Sequence, residues 1–246
     1  MLFNSFEFLI FFPIVVLVFL IIPRKARHIW LLIASYYFYA SWNAKYALLL
    51  LLSTVITYLG GLFTERINAS GTERREFKKK LCAALVIVSN LLILGIFKYL
   101  NFFLANFNVL LKIFGRGMET APHVDLLLPV GISFYPFQAL GYSIDVYRGR
   151  IGAEKNFFKY ALFVSFFPQL VAGPIERSSN LLKQMDNIEE INVWQAENIK
   201  DGLLLMLWGL FEKLVIADRI MILVNQVYNN YTDYGFVDLF TASVLF

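Results

Sequence analysis

Apolar residues run through this chain in long unbroken blocks, with neither the strict alternation of a half-buried strand nor the narrow stripe of a soluble amphipathic helix. The strongest blocks cover residues 6–22, 46–63, 81–97 and 124–144, and blocks at 157–172 and 202–217 are slightly shorter. A helix needs about 20 largely apolar residues to cross the hydrocarbon of a bilayer, so each block is predicted as a membrane span. Residues 29–41 and 99–114 are shorter again. The first block has no basic start, contains Pro13 and is followed by Pro23, Arg24 and Lys25. It therefore reads as a retained span and not as a signal peptide. The last block, 236–246, stops within an apolar stretch, and the sequence is expected to continue beyond Phe246.

The polar positions between the blocks predict orientation. Arg24, Lys25 and Arg27 follow the first span, and Arg66, Arg74, Arg75, Lys78, Lys79 and Lys80 lie between 64 and 80. Short loops rich in Lys and Arg stay in the cytoplasm. Residues 29–41 and 46–63 must then cross as a hairpin turning at Trp42 and Asn43, with the N-terminus outside. Trp30 and Trp42 bracket the first arm as interfacial anchors would. That arm is only about 20 Å long at 1.5 Å per residue; either the helix outruns its apolar block or the membrane thins there.

Asn101, Ala105, Asn108 and Lys112 recur at helical spacing on an aromatic background. This pattern predicts an amphipathic helix lying in the interface, with a short span as the alternative. Residues 174–201 form the one long polar segment. From Glu176 to Asp201 it carries six acidic and three basic residues, yet Leu181, Leu182, Met185, Ile188 and Ile191 keep helical periodicity. A juxtamembrane helix is expected there. The chain as a whole reads as one all-α, polytopic membrane domain, 1–246: a multi-span bundle with broken, re-entrant and interfacial helices. No internal repeat supports a transporter built from duplicated halves.

Composition agrees. Hydrophobic residues make up 59% and charged residues 16%, with 25 Phe, 13 Tyr and 4 Trp, against about 25% charged in a soluble domain. One cysteine and two separated histidines exclude the usual zinc site. The basic run 74–80 directly precedes a span, which points to orientation and anionic lipid and not to nucleic acid. Gly-x-Ser-x-Gly, Walker and dinucleotide signatures are all missing.

Three places break the apolar pattern with chemistry. In Pro129-Val130-Gly131-Ile132-Ser133-Phe134-Tyr135-Pro136-Phe137-Gln138, two prolines and a glycine interrupt one block. Proline removes a backbone donor, and irregular backbone at membrane depth is tolerated only inside protein or beside water. The segment is either a kinked helix or a broken one whose Ser133, Tyr135 and Gln138 line a substrate cavity. Asp145 follows, either paired at the interface with Arg148 or facing substrate. Pro168, Gln169, Gly173 and Pro174 form the second break, with Glu176 and Arg177 placed where a re-entrant loop would leave the membrane. The two breaks are expected to approach one another around a cavity. The third place is Glu212-Lys213…Asp218-Arg219, four charges in an apolar helix. Such charges are costly and face a bundle interior or water. Glu212 and Arg219, seven residues apart, would share a face. His28 and His123 have no evident partner and make poor candidates for a general base.

These segments, together with Leu31-Leu32-Ile33-Ala34-Ser35-Tyr36-Tyr37-Phe38-Tyr39-Ala40, Asp145-Val146-Tyr147-Arg148, Phe166-Phe167-Pro168-Gln169-Leu170-Val171-Ala172-Gly173-Pro174-Ile175 and Trp208 to Arg219, resemble the membrane-bound O-acyltransferase family, nearest to its alginate O-acetyltransferase type. The resemblance covers the whole chain and implies an enzyme of the bacterial inner membrane. Such an enzyme moves an acyl group from a cytoplasmic thioester to a hydroxyl of a cell-envelope polysaccharide. The donor is acetyl-coenzyme A, another acyl-coenzyme A or a carrier-protein thioester, and periplasmic acetyl-transfer proteins are implied partners. The family's histidine base lies in its C-terminal half. No catalytic residue is therefore assigned here, and the chain alone is expected to be inactive. A transporter or flippase, or a non-catalytic scaffold, remains the competing reading.

Overall fold

The computed structural model describes residues 1, 3–70, 74–113, 131–170, 173, 176–190 and 195–246, excepting the side chains of 108 and 110–113. Every regular element among them is helical. The chain divides into two compact units, Met1–Ile191 and Asn192–Phe246, and the division falls inside the polar segment 174–201.

The first unit begins with α1 (Phe6–Ile21), capped by the Ser5 side chain accepting from the Phe8 N–H. A single turn at Arg24–Ala26 leads into α2 (Arg27–Ala40). The turn at Trp42 and Asn43 falls where expected, and the Asn43 side chain caps α3 (Ala44–Ala69). The two tryptophans do not simply face lipid. Trp30 Nε1 donates to the Val15 carbonyl at 3.0 Å and Trp42 Nε1 to the Met1 carbonyl at 2.9 Å, so both tie α2 and its turn to the α1 segment.

The expectation of separate elements at 81–97 and 99–114 is corrected: α4 runs unbroken from Arg75 to Ile113, 39 residues. Nothing at Phe97-Lys98-Tyr99 breaks a helix, lysine being a good helix former, and Lys98 finds a polar partner in Ser133 without ending the helix. The side chains of Asn108 and Lys112 in the expected interfacial stripe lie outside the described residues. Two helices, Ala44–Ala69 and Arg75–Phe107, are long and apolar enough to cross a membrane. This is a membrane protein.

Helices α3 and α4 pack antiparallel through small residues. Ser53, Thr54, Thr57, Gly60, Gly61 and Thr64 form the buried stripe of α3. A Cβ on Gly60 would stand 2.2 Å from Val86 Cγ2, and one on Gly61 would stand 2.9 Å from the Tyr142 hydroxyl. Close backbone approach of this kind drives helix association in lipid, where burying apolar surface gains nothing. Ser53 Oγ adds a hydrogen bond to Asn90 Oδ1 at 2.5 Å.

The blocks at 124–144 and 157–172 do not form single helices. A turn at 131–134 precedes α5 (Tyr135–Tyr147). Helix α6 spans only Phe157–Ser165, and the four-residue α7 (Phe167–Leu170) follows it. Helix α8 (Ser178–Asp186) buries Leu181, Leu182 and Met185, as the periodicity of the polar segment predicts.

In the second unit, α9 (Ala196–Phe211) runs through a wide π turn at Glu212–Ala217 into α10 (Asp218–Asn229). Helix α11 (Phe236–Leu245) folds back on α10, with Tyr228 and Ser243 hydroxyls 2.9 Å apart.

Candidate functional site

The first unit has a basic end, where α2 and α4 begin and α5 finishes. Lys79 stacks over the Tyr147 ring at 4.7 Å there. Helix α6 starts on this side and rises toward the middle of the bundle, and the chain then returns. Both its departure and its return are anchored at the basic end. Lys159 Nζ donates to Asp186 Oδ1 at 3.0 Å, Ser178 Oγ donates to Asp145 Oδ2 at 2.7 Å, and Arg27 Nη1 donates to the Ile188 carbonyl at 3.3 Å. The tip between these anchors is apolar: Phe167 packs on Phe8, Phe11 and Phe38.

At the tip the helix breaks at Phe166, which leaves a carbonyl and an N–H without helical partners. Two side chains take them. Gln138 Nε2 of α5 donates to the Phe163 carbonyl at 2.7 Å. Ser35 Oγ of α2 accepts from the Phe167 N–H at 3.2 Å and donates to the Leu31 carbonyl at 2.7 Å. Buried backbone groups must be paired somewhere, and here the pairing fixes the break. Gln138 was a predicted site residue. Ser35 was not: a serine inside an apolar block gives no signal beyond its hydroxyl.

The two broken segments meet. Gly131 sits at φ 76, and a Cβ there would lie 2.7 Å from the Leu170 carbonyl oxygen. Glycine is required twice over, for the left-handed backbone and for the close approach. The Gly131 carbonyl accepts from the Phe134 and Tyr135 N–H groups and starts α5. Pro129, Val130, Val171, Ala172, Pro174 and Ile175 lie outside the described residues, as does His123.

The other predicted residues sort by place. Ser133 Oγ lies 3.1 Å from Lys98 Nζ, and that lysine escaped notice because it falls between two apolar blocks. Tyr135 is fully buried, edge-on to Tyr39 at 6.4 Å between ring centroids. Asp145 bonds Ser178 and, at 3.5 Å, Arg150 Nη1, not the expected Arg148. The cause is the turn after α5: the Arg150 N–H returns to the Asp145 carbonyl around Gly149, at φ 70. The Gln169 carbonyl accepts from the Gly173 N–H at 3.0 Å. Glu176 accepts from the Asn180 amide and the Arg177 N–H, which hold its carboxyl below the usual carboxylate range. The Arg177 carbonyl opens α8.

Two expectations are corrected. His28 is not alone: it is buried, with Nδ1 3.8 Å from Glu189 Oε1 at the basic end. Glu212 and Arg219 do not share a face, because the π turn between them inserts a residue and sets the following helix back by about 100°. The ion pair formed here is Lys213 with Asp218, at 2.5 Å. Among the described residues no cluster of His, Cys, Asp or Glu is fit to hold a metal.

Comparison with curated proteins gives the class: over most of its length the chain is homologous to O-acetyltransferases of the membrane-bound O-acyltransferase type, as its motifs implied. It is 35% identical over 229 residues to the Probable alginate O-acetylase AlgI of Pseudomonas aeruginosa, a match covering 93% of this chain and 42% of that protein. It is 35% identical over 221 residues to the Azotobacter vinelandii protein of the same name, covering 89% of this chain and 42% of the relative. The Peptidoglycan O-acetyltransferase of Helicobacter pylori is 33% identical over 276 residues, 99% of this chain and 50% of the relative. The chain thus spans about half the length, or less, of these relatives. No family model and no solved structure matches it.

Proposed function

We propose that this chain belongs to a multi-pass enzyme of the bacterial inner membrane that transfers acetyl from a cytoplasmic thioester to a hydroxyl of a cell-envelope polysaccharide. Acetyl-coenzyme A or a carrier-protein thioester supplies the acetyl group. Beyond the relatives, the reading rests on the junction of the two broken segments at Gly131 and Leu170. Backbone leaves the helical state at membrane depth only where protein or a cavity shelters it. Here a loop anchored at the basic end reaches a loop that opens α5 from the opposite side. In the membrane the first is re-entrant from the cytoplasm, and the second faces the acceptor. Donor and acceptor can thus be brought together from opposite sides of the membrane. Periplasmic acetyl-transfer proteins are the natural partners on the acceptor side. Ser133, Tyr135, Gln138, Asp145, Gln169, Glu176 and Arg177 are proposed to line or frame the route. No residue is assigned as general base.

The test is genetic and chemical. The full-length gene is deleted in its native host, and ester-linked acetate on the purified envelope polysaccharide is measured with and without complementation. The expected outcome is loss of acetate on deletion and its return on complementation. Unchanged acetate would sink the reading.

A further inference from the structure

Two buried hydroxyls stand out among the described polar groups of the first unit that make no hydrogen bond, a set that also holds His28 Nδ1 and the Tyr36 hydroxyl. Tyr39, near the end of α2, is 2% exposed, and Tyr135, in the first turn of α5, is 0% exposed. Their rings meet edge to face at 6.4 Å, yet neither hydroxyl makes a hydrogen bond among the described residues. Three neighbouring tyrosines behave otherwise. The Tyr160 hydroxyl donates to Thr57 Oγ1 at 2.7 Å, the Tyr142 hydroxyl accepts from the Glu154 N–H at 2.9 Å, and the Tyr58 hydroxyl donates to the Lys155 carbonyl at 2.6 Å. A buried hydroxyl without a partner carries the full cost of its desolvation. Phenylalanine would fill the same space without that cost, so a pair of such tyrosines calls for something to bond.

The surroundings restrict what that is. The same core cluster holds Leu50, Leu94, Ile132 and Leu170. Leu170 belongs to the tip, and its carbonyl touches Gly131, four residues before Tyr135. The tyrosines therefore flank the junction of the broken segments. Apolar walls with two O–H donors do not suit a sugar, whose several hydroxyls would each need a partner. They suit a small apolar group with a single acceptor oxygen carrying two lone pairs. We propose that Tyr39 and Tyr135 form a buried subsite that binds the carbonyl oxygen of the acetyl group in transit. This rests on the O-acetyl transfer reading. Two donors fixed on that oxygen would also stabilise the charge it gains when a hydroxyl attacks the carbonyl carbon.

The full-length protein carrying Tyr39→Phe, Tyr135→Phe or, as a control, Tyr160→Phe is returned to the deletion strain. Polysaccharide ester acetate is measured per folded enzyme, and melting temperature is measured on detergent-purified protein. Tyr39→Phe and Tyr135→Phe should melt at or above the unmodified temperature while acetate falls at least tenfold. Tyr160→Phe, which breaks a bond already made, should lower the melting temperature and keep acetylation per folded enzyme. The proposal is overturned by full acetylation in both Tyr39→Phe and Tyr135→Phe. It is equally overturned by a fall in their melting temperature like that of Tyr160→Phe, which would mean hydroxyls satisfied by water or protein. Absence of acetate with the unmodified gene would overturn the enzymatic reading and the subsite with it. Acetate restored by the unmodified gene and fully retained by both variants overturns the subsite alone.

Discussion

Gly131 is the residue on which the junction turns. Its φ of 76 and the 2.7 Å approach of the Leu170 carbonyl act together, so even alanine is excluded sterically as well as conformationally. Left-handed backbone costs a non-glycine residue about 1–2 kcal/mol, and the overlap with a backbone oxygen adds to it. Gly131→Ala should lower stability by about 2 kcal/mol or more, read as a drop in detergent melting temperature, and abolish acetate transfer in complemented cells. Gly141→Ala, where a Cβ meets nothing within 4 Å, should do neither. At this scale the sequence was informative where several residues foreign to their background cluster, and not at the lone Pro13, which lies inside unbroken α1. Pro, Gly and Gln inside apolar blocks marked the breaks correctly. Ser35 and Lys98 were missed because each acts through a partner 132 or 35 residues away, and spacing along the chain carries no trace of such a contact.

The helices most altered by tertiary contact are those around the tip. Helix α6 ends at Ser165 in the middle of an apolar block because its orphaned groups are taken by α5 and α2. Hydropathy alone continues such a block to 172. Gln138→Leu leaves the Phe163 carbonyl unpaired, and Ser35→Ala leaves the Phe167 N–H unpaired. Each should cost roughly 1–3 kcal/mol. Because both clamp one break, the double variant should lose less than the sum of the two. Strict additivity in melting measurements would show that the two clamps act independently. Helix α4 departs from expectation the opposite way: the gap at Lys98 between two apolar blocks read as a boundary, yet one charge with a partner does not end a helix.

For the molecule as a whole, the arrangement of Lys and Arg predicts the N-terminus outside and residues 64–80 in the cytoplasm. Both anchors of the returning segment gather at the same basic end, in keeping with that orientation. On a Cys82→Ala background, Ser70→Cys should react with a permeant maleimide and stay unlabelled by an impermeant one added to intact cells. Labelling from outside would reverse the topology. The order of the helices, and the approximate extent of α1, α2 and α3, were legible in the apolar blocks. The return of the α6–α8 segment to its own side was legible only as a hint at Gly173, Pro174 and Glu176, since apolarity measures preference for lipid and not direction of travel.

The unbroken α4 carries a further consequence. At 1.5 Å per residue, its 39 residues extend about 58 Å, nearly twice the roughly 30 Å of a typical hydrocarbon layer. From Leu81 to Lys98 the rise is about 26 Å, so that stretch alone fills a thin bilayer, and the ammonium of Lys98 then marks its far boundary. The helix works as a ruler. In a film of that thickness the lysine meets water and Ser133 together; in a thicker one, either the helix tilts or the charge is drawn away from the turn that opens α5. On that placement the depth at which the two broken segments join should follow the thickness of the lipid around them.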